Sequence, residues 1–191
     1  MARPKSETKR NAILAAATTV FAERGLGAPT ASISAVAGVA EGTLFTYFET
    51  KEVLLNALYC DIKVGLADAM MAGFPRKKSV RDRLAHVWRQ YVDWGVTHPN
   101  EHAVLKLIEG WGALTGASKA AGSAPFIEVQ NMADDAVRQR VIRDLPTAFI
   151  GAALSALAET TMHAMREDPK RAQLYRGAGF EMLWAGIVRT R

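Results

Sequence analysis

A single cysteine, Cys60, stands in a chain of 191 residues, so no intrachain disulfide is possible. The thiol reads as a small hydrophobe in a reducing compartment, and the cytoplasm is the expected location. Long apolar runs are missing as well. No stretch reaches the roughly 18 consecutive apolar residues of a membrane span. The opening Met1-Ala2-Arg3-Pro4-Lys5-Ser6-Glu7 lacks the apolar run of a secretory signal. No membrane partner is expected. Strand-like alternation is absent, as is any internal repeat, so a Gly-rich phosphate loop would have no strand to follow. Catalytic sets are equally thin. Asp134-Asp135 and Glu109 read as helix-surface charges rather than an acid/base pair, and no histidine is arranged with Cys60. His98 and His102 have a spacing that suits zinc on a helix, but Pro99 interrupts that helix and no third ligand is evident. No metal, cofactor or enzymatic centre is expected.

The residues that are present favour helices almost throughout. Ile13, Leu14, Ala17, Val20 and Phe21 form a stripe over residues 7–24, and Gly25 is a natural stop. Pro29 suits the first turn of the next helix. Thr50 is a good N-cap for a helix running through Leu54, Leu55, Leu58, Ile62 and Leu66 to about residue 71, broken by Gly73-Phe74-Pro75. Further helices are expected over about 79–97, 100–112, 126–143, 146–166 and 170–189, while Gly112 to Pro125 gives the weakest signal. The fold class is all-α. An N-terminal three-helix unit is expected within residues 1–50, a linking helix over 51–72, and a second helical unit over 73–191.

Residues 33–52 are the most informative. Ile33, Val36 and Ala37 recur at helical spacing, Gly38-Val39 interrupts them, and Leu44 and Phe48 lie at i and i+4 on the next short helix. Gly42, Thr43, Phe45, Thr46 and Tyr47 are left on its other faces. That is the profile of a helix-turn-helix whose second helix enters a DNA major groove. Net charge is +5 and is concentrated at the start, where Arg3, Lys5, Lys9 and Arg10 face only Glu7. Such an arm can follow phosphates or enter a minor groove, the plainer reading being a solvated terminus.

Ile33, Ala37-Gly38-Val39, Gly42-Thr43-Leu44, Tyr47-Phe48 and Lys51-Glu52 followed by Val53-Leu54-Leu55 resemble the DNA-binding signature of the TetR family of bacterial transcriptional regulators. Ile13-Leu14, Ala16-Ala17, Phe21 and Gly25 fit that family's first helix. The resemblance implies phosphate contacts by Thr43, Tyr47 and Lys51. Independently, a lysine in a helix's first turn opposes the helix dipole by about 0.3–1 kcal/mol, a balance that a bound phosphate reverses. Two departures stand out: Phe45 occurs where the family usually has tyrosine, and Ala40 where it usually has a capping serine.

Base reading falls to exposed positions: Thr30, Ala31, Ser32, Ala40, Glu41, Gly42 and Thr46. Phe45 can touch a thymine methyl, and Glu41 can accept from a cytosine amino group or simply be a solvated carboxylate. With no arginine or asparagine in this set, no operator sequence follows. In the C-terminal half, Met70, Trp88, Tyr91, Trp111 and Phe126 are candidates to line an apolar effector pocket, the alternative being plain core. The small residues of 146–166 beside the larger ones of 170–189 suggest close helix contact, and by resemblance these helices form a homodimeric four-helix bundle. The expected function is therefore a sequence-specific regulator, a repressor of a palindromic operator in double-stranded DNA, released by an unknown small apolar or amphipathic effector. A constitutive DNA-binding protein without inducer and an all-helical enzyme are the alternatives.

Overall fold

The computed structural model describes residues 5–189. The chain runs through α1 (Lys5–Arg24), α2 (Thr30–Ala37), α3 (Glu41–Tyr47), α4 (Lys51–Met71), α5 (Val80–Thr97), α6 (Pro99–Glu109), α7 (Gly116–Ser123), α8 (Ile127–Arg138), α9 (Thr147–Glu167) and α10 (Ala172–Ile187). Among the described residues there is no strand, only an isolated bridge between Ile142 and Val188. No helix there is long and apolar enough to cross a membrane.

Packing groups the chain into two units. The first holds the residues up to Val64 together with His98–Ser123; the second holds Gly65–Thr97 and the described chain from Ala124 onwards. This grouping differs from a sequence boundary near residue 72, because α6 leaves the C-terminal half and packs on α1. Val104 and Ile108 of α6 are wholly buried.

In the first unit, Ile13, Leu14, Ala17 and Phe21 of α1 pack with Ile33, Leu44, Phe48, Leu54 and Leu58, each at most 2% exposed. α7 forms in the stretch where the sequence is least informative. The Thr115 hydroxyl caps it at Ser118 N–H (3.1 Å), while Asn56 of α4 accepts from Thr115 N–H at 3.0 Å. Gly122 then lies flat on the Tyr59 ring, where a Cβ would come within 2.4 Å of Cε1. Burial pushes the Tyr59 phenol up from its ordinary value, and burial lowers the neighbouring Lys63 ammonium, with Glu109 opposing that shift.

The second unit is built on α5, α9 and α10. Trp88 of α5 is 1% exposed, and its indole N–H donates to Arg176 O at 2.9 Å. Arg176 in turn grips both carboxylate oxygens of Asp93, at 2.8 and 2.6 Å. His86, buried on the same helix, lies 3.1 Å from Met70 O through Nε2 and meets the Phe74 ring edge-on. α8 is shorter than the 126–143 span expected from sequence, because a left-handed turn at Arg140 closes it.

Candidate nucleic-acid interface

The turn between α2 and α3 is made by local chemistry. Gly38 adopts φ 66°, a left-handed geometry that costs a side chain free energy and suits glycine. Gly38 N–H then meets Ala35 O at 3.2 Å, and Val39 N–H meets Ser34 O at 3.0 Å, which closes α2 in a Schellman turn. Ile33 and Leu44 are wholly buried and Phe48 nearly so, with α2 packed on α1 and α3 on α2. Val36, expected on the inward stripe, is instead 57% exposed, and Ser34 takes the buried place. A two-turn helix has room for few inward positions, and the neighbouring residues Ile33 and Ser34 fill them.

α3 begins at Ala40 without a side-chain cap, as its residue type dictates. Ala40, Glu41, Gly42, Phe45 and Thr46 are exposed, whereas Thr43 and Tyr47 are half-buried. The hydroxyls of Thr43 and Tyr47 make no hydrogen bond among the described residues and are available to phosphate. Thr46 is otherwise engaged, since its hydroxyl donates back to Gly42 O at 2.9 Å. Thr30 of α2 donates to the Glu41 carboxylate at 2.9 Å. Two candidate base readers are thus tied to each other, which fixes the Glu41 carboxylate at the start of α3. Ser32 is half-buried, and Arg24 approaches its hydroxyl at 3.4 Å.

Lys51 has a second use that its position in sequence does not reveal. Its ammonium donates to Ala28 O at 2.6 Å and lies 5.7 Å from the centre of the Phe21 ring. The lysine therefore stitches the α1–α2 loop to the start of α4, with two of its three donors left for a phosphate. Thr50 caps the same helix, accepting from Val53 N–H at 3.2 Å. Beside it the Glu52 carboxyl is held below its ordinary value, by a backbone N–H first and then by the Thr50 hydroxyl.

Of the basic arm, Arg3 and the Lys5 side chain lie outside the described residues. Lys9 lines a hollow of 340 Å³ with Ser6, Thr8 and Tyr47, and Arg10 lies over the Phe48 ring at 5.7 Å. Ser6 and Thr8 carry no sequence signal of their own. Only the fold brings the start of α1 to the end of α3.

Residues 13–58 match the model of the bacterial regulatory proteins of the tetR family. The match spans the helix-turn-helix region, from α1 into α4. The chain's fold is shared across nearly the whole length by solved TetR-family structures. A tetR-family chain from Shewanella sp. PV-4 is 24% identical, covering 95% of this chain and 99% of its own, with a TM-score of 0.86. A TetR-family transcription regulator from Marinobacter aquaeolei VT8 is 21% identical, covering 99% and 100%, also at 0.86. The TetR-like regulator LfrR from Mycobacterium smegmatis, solved with proflavine, is 20% identical, covering 96% and 99%, at 0.68.

The residues singled out for an effector pocket are divided between the two units. Met70 (7% exposed), Trp88 (1%) and Tyr91 (8%) are buried in the second unit, with Phe126 half-buried there; Trp111 is half-buried in the first. Among the described residues no group of three or more His, Cys, Asp or Glu is placed to hold a metal ion.

Proposed function

We propose that the protein is a cytoplasmic, sequence-specific repressor that binds a palindromic operator as a homodimer and leaves it when a small apolar or amphipathic effector binds. The observation that carries this reading is α3 itself. It is a short helix seated by Leu44 and Phe48 behind the Gly38 turn, with two free hydroxyls flanking an exposed face of Ala40, Glu41, Gly42, Phe45 and Thr46. Residues 1–50 read DNA, 51–72 connect, and 73–191 bind effector and partner. One such helix reads few base pairs, so a twofold dimer on two half-sites is the economical arrangement. The proflavine bound by LfrR supports a small-molecule effector, for which Met70, Tyr91 and Phe126 of the second unit are the candidate contacts.

Selecting duplexes from random sequence with the full-length protein tests the reading. An inverted repeat is expected; recovery of unrelated sequences would refute both the specificity and the symmetry. Tyr47→Phe separates contact from fold. Its hydroxyl has no partner among the described residues, so stability should hold while affinity for every duplex falls about 2- to 10-fold, the worth of one hydrogen bond. Lys51→Ala should reduce both, because it also releases Ala28 O.

A further inference from the structure

The end of α8 carries an arrangement that DNA binding leaves unused. Arg140 N–H meets Val137 O and Val141 N–H meets Ala136 O, both at 2.9 Å, the same closure that ends α2. That closure puts Arg140 at φ 58°. Among the described residues the other left-handed positions, Gly25, Gly38 and Gly73, are all glycine. An arginine here takes a steric penalty that glycine avoids, and such strain persists where the side chain is needed.

Arg140 opens onto a cavity of 580 Å³, which Arg138, Arg143, Arg189, Asp144 and the buried Ile142 also line. The far wall is held by backbone. Arg143 N–H donates to Ile187 O at 2.8 Å, Arg189 N–H to Val141 O at 3.2 Å, and Ile142 is bridged to Val188 between them. Arg138 is committed to Asp135, and Arg143 Nε lies 3.4 Å from Val188 O. The guanidiniums of Arg140 and Arg189 have no partner among the described residues. The C-terminus of α8 attracts a cation through its dipole. That accounts for one arginine beside the helix end, but not for four around a hollow nor for a left-handed one.

We propose that this cavity binds a small, multiply charged oxyanion, with the guanidinium forks of Arg140, Arg143 and Arg189 meeting its oxygens in pairs above the apolar floor. A phosphate compound and a polycarboxylate present the same chemistry. Titration calorimetry of the full-length protein against inorganic pyrophosphate and, separately, citrate distinguishes them at fixed ionic strength. Saturable binding to one site per chain is expected, tighter for pyrophosphate if the natural ligand is a phosphate and tighter for citrate if it is a carboxylate. Arg143→Gln combined with Arg189→Gln should weaken it at least about tenfold, whereas Arg171→Gln, elsewhere on the surface, should not. Arg140→Gly is the sharpest variant. It should weaken binding while raising the melting temperature by roughly 2–4 °C, because the strain leaves with the side chain. No saturable heat with either anion, or unchanged affinity in Arg140→Gly, overturns the proposal.

Discussion

Trp88→Ala is expected to destabilise the protein by about 3–5 kcal/mol in chemical denaturation, the range for deleting a large buried aromatic side chain. The ring is 1% exposed and its N–H is satisfied by Arg176 O at 2.9 Å. On its far side the backbone of α10 comes so close that a Cβ at Gly179 would lie 2.6 Å from the ring's Cζ2 and 2.4 Å from Thr161 Oγ1. A cavity left there cannot collapse easily, since α10 is already pinned to α5 by Arg176 on Asp93. Trp88→Phe should cost less, keeping much of the volume while leaving Arg176 O without its indole partner. The magnitude also decides a role. If Trp88 faced an open effector pocket, alanine would cost under about 1 kcal/mol, in the manner of surface substitutions, and would mainly alter ligand affinity. A small loss of stability would thus return Trp88 to the pocket; the large one expected makes it a core pin that any effector must work around.

Which features were legible from sequence follows from how local their causes are. Gly25, Gly38, Thr50 and Pro75 act within a turn or two of their own positions, so the ends of α1, α2 and α4 follow from residue type. The helix-turn-helix was legible for the same reason, with Leu44 and Phe48 an i, i+4 pair on one face. α7 was not, because its small residues have little helical pattern and its stability comes from Asn56 and Tyr59, some 60 residues earlier. The turn at Arg140 was not legible either, because it has a geometry that the sequence signals only when glycine fills it. Within the interface, residue types were legible but their commitments were not. Nothing in Lys51, Thr30, Glu41 or Thr46 reveals that each already has a partner in the fold. The set of uncommitted candidates is therefore narrower than the exposed residues suggest: the hydroxyls of Thr43 and Tyr47, with Ala40, Gly42 and Phe45 exposed beside them.

Met182→Glu is expected to abolish dimerisation without unfolding the chain. α9 and α10 divide their small residues between two faces. Ala158 is wholly buried and Gly179 packs on Thr161, which closes α9 against α10 within one chain. The outer sides keep Ala148, Ala152 and Ala156 exposed on α9, and Gly177, Ala185 and Gly186 on α10. Among them stand Phe149 at 60%, Leu174 at 60% and Met182 at 64% exposure, larger side chains suited to fill a partner's small-residue surface. In a single chain a carboxylate at 182 meets water, so unfolding should shift by no more than about 0.5 kcal/mol. Across a twofold axis the substitution enters twice, and each buried carboxylate without a counterion costs about 3 kcal/mol. Roughly 6 kcal/mol corresponds to about four orders of magnitude in the dimer dissociation constant. Sedimentation over a dilution series should show monomer where the unaltered protein is dimeric, and affinity for the selected inverted repeat should fall to that of a single half-site. A variant that remains dimeric at the same concentrations would move the interface away from this face, and with it the spacing of the two α3 helices on DNA.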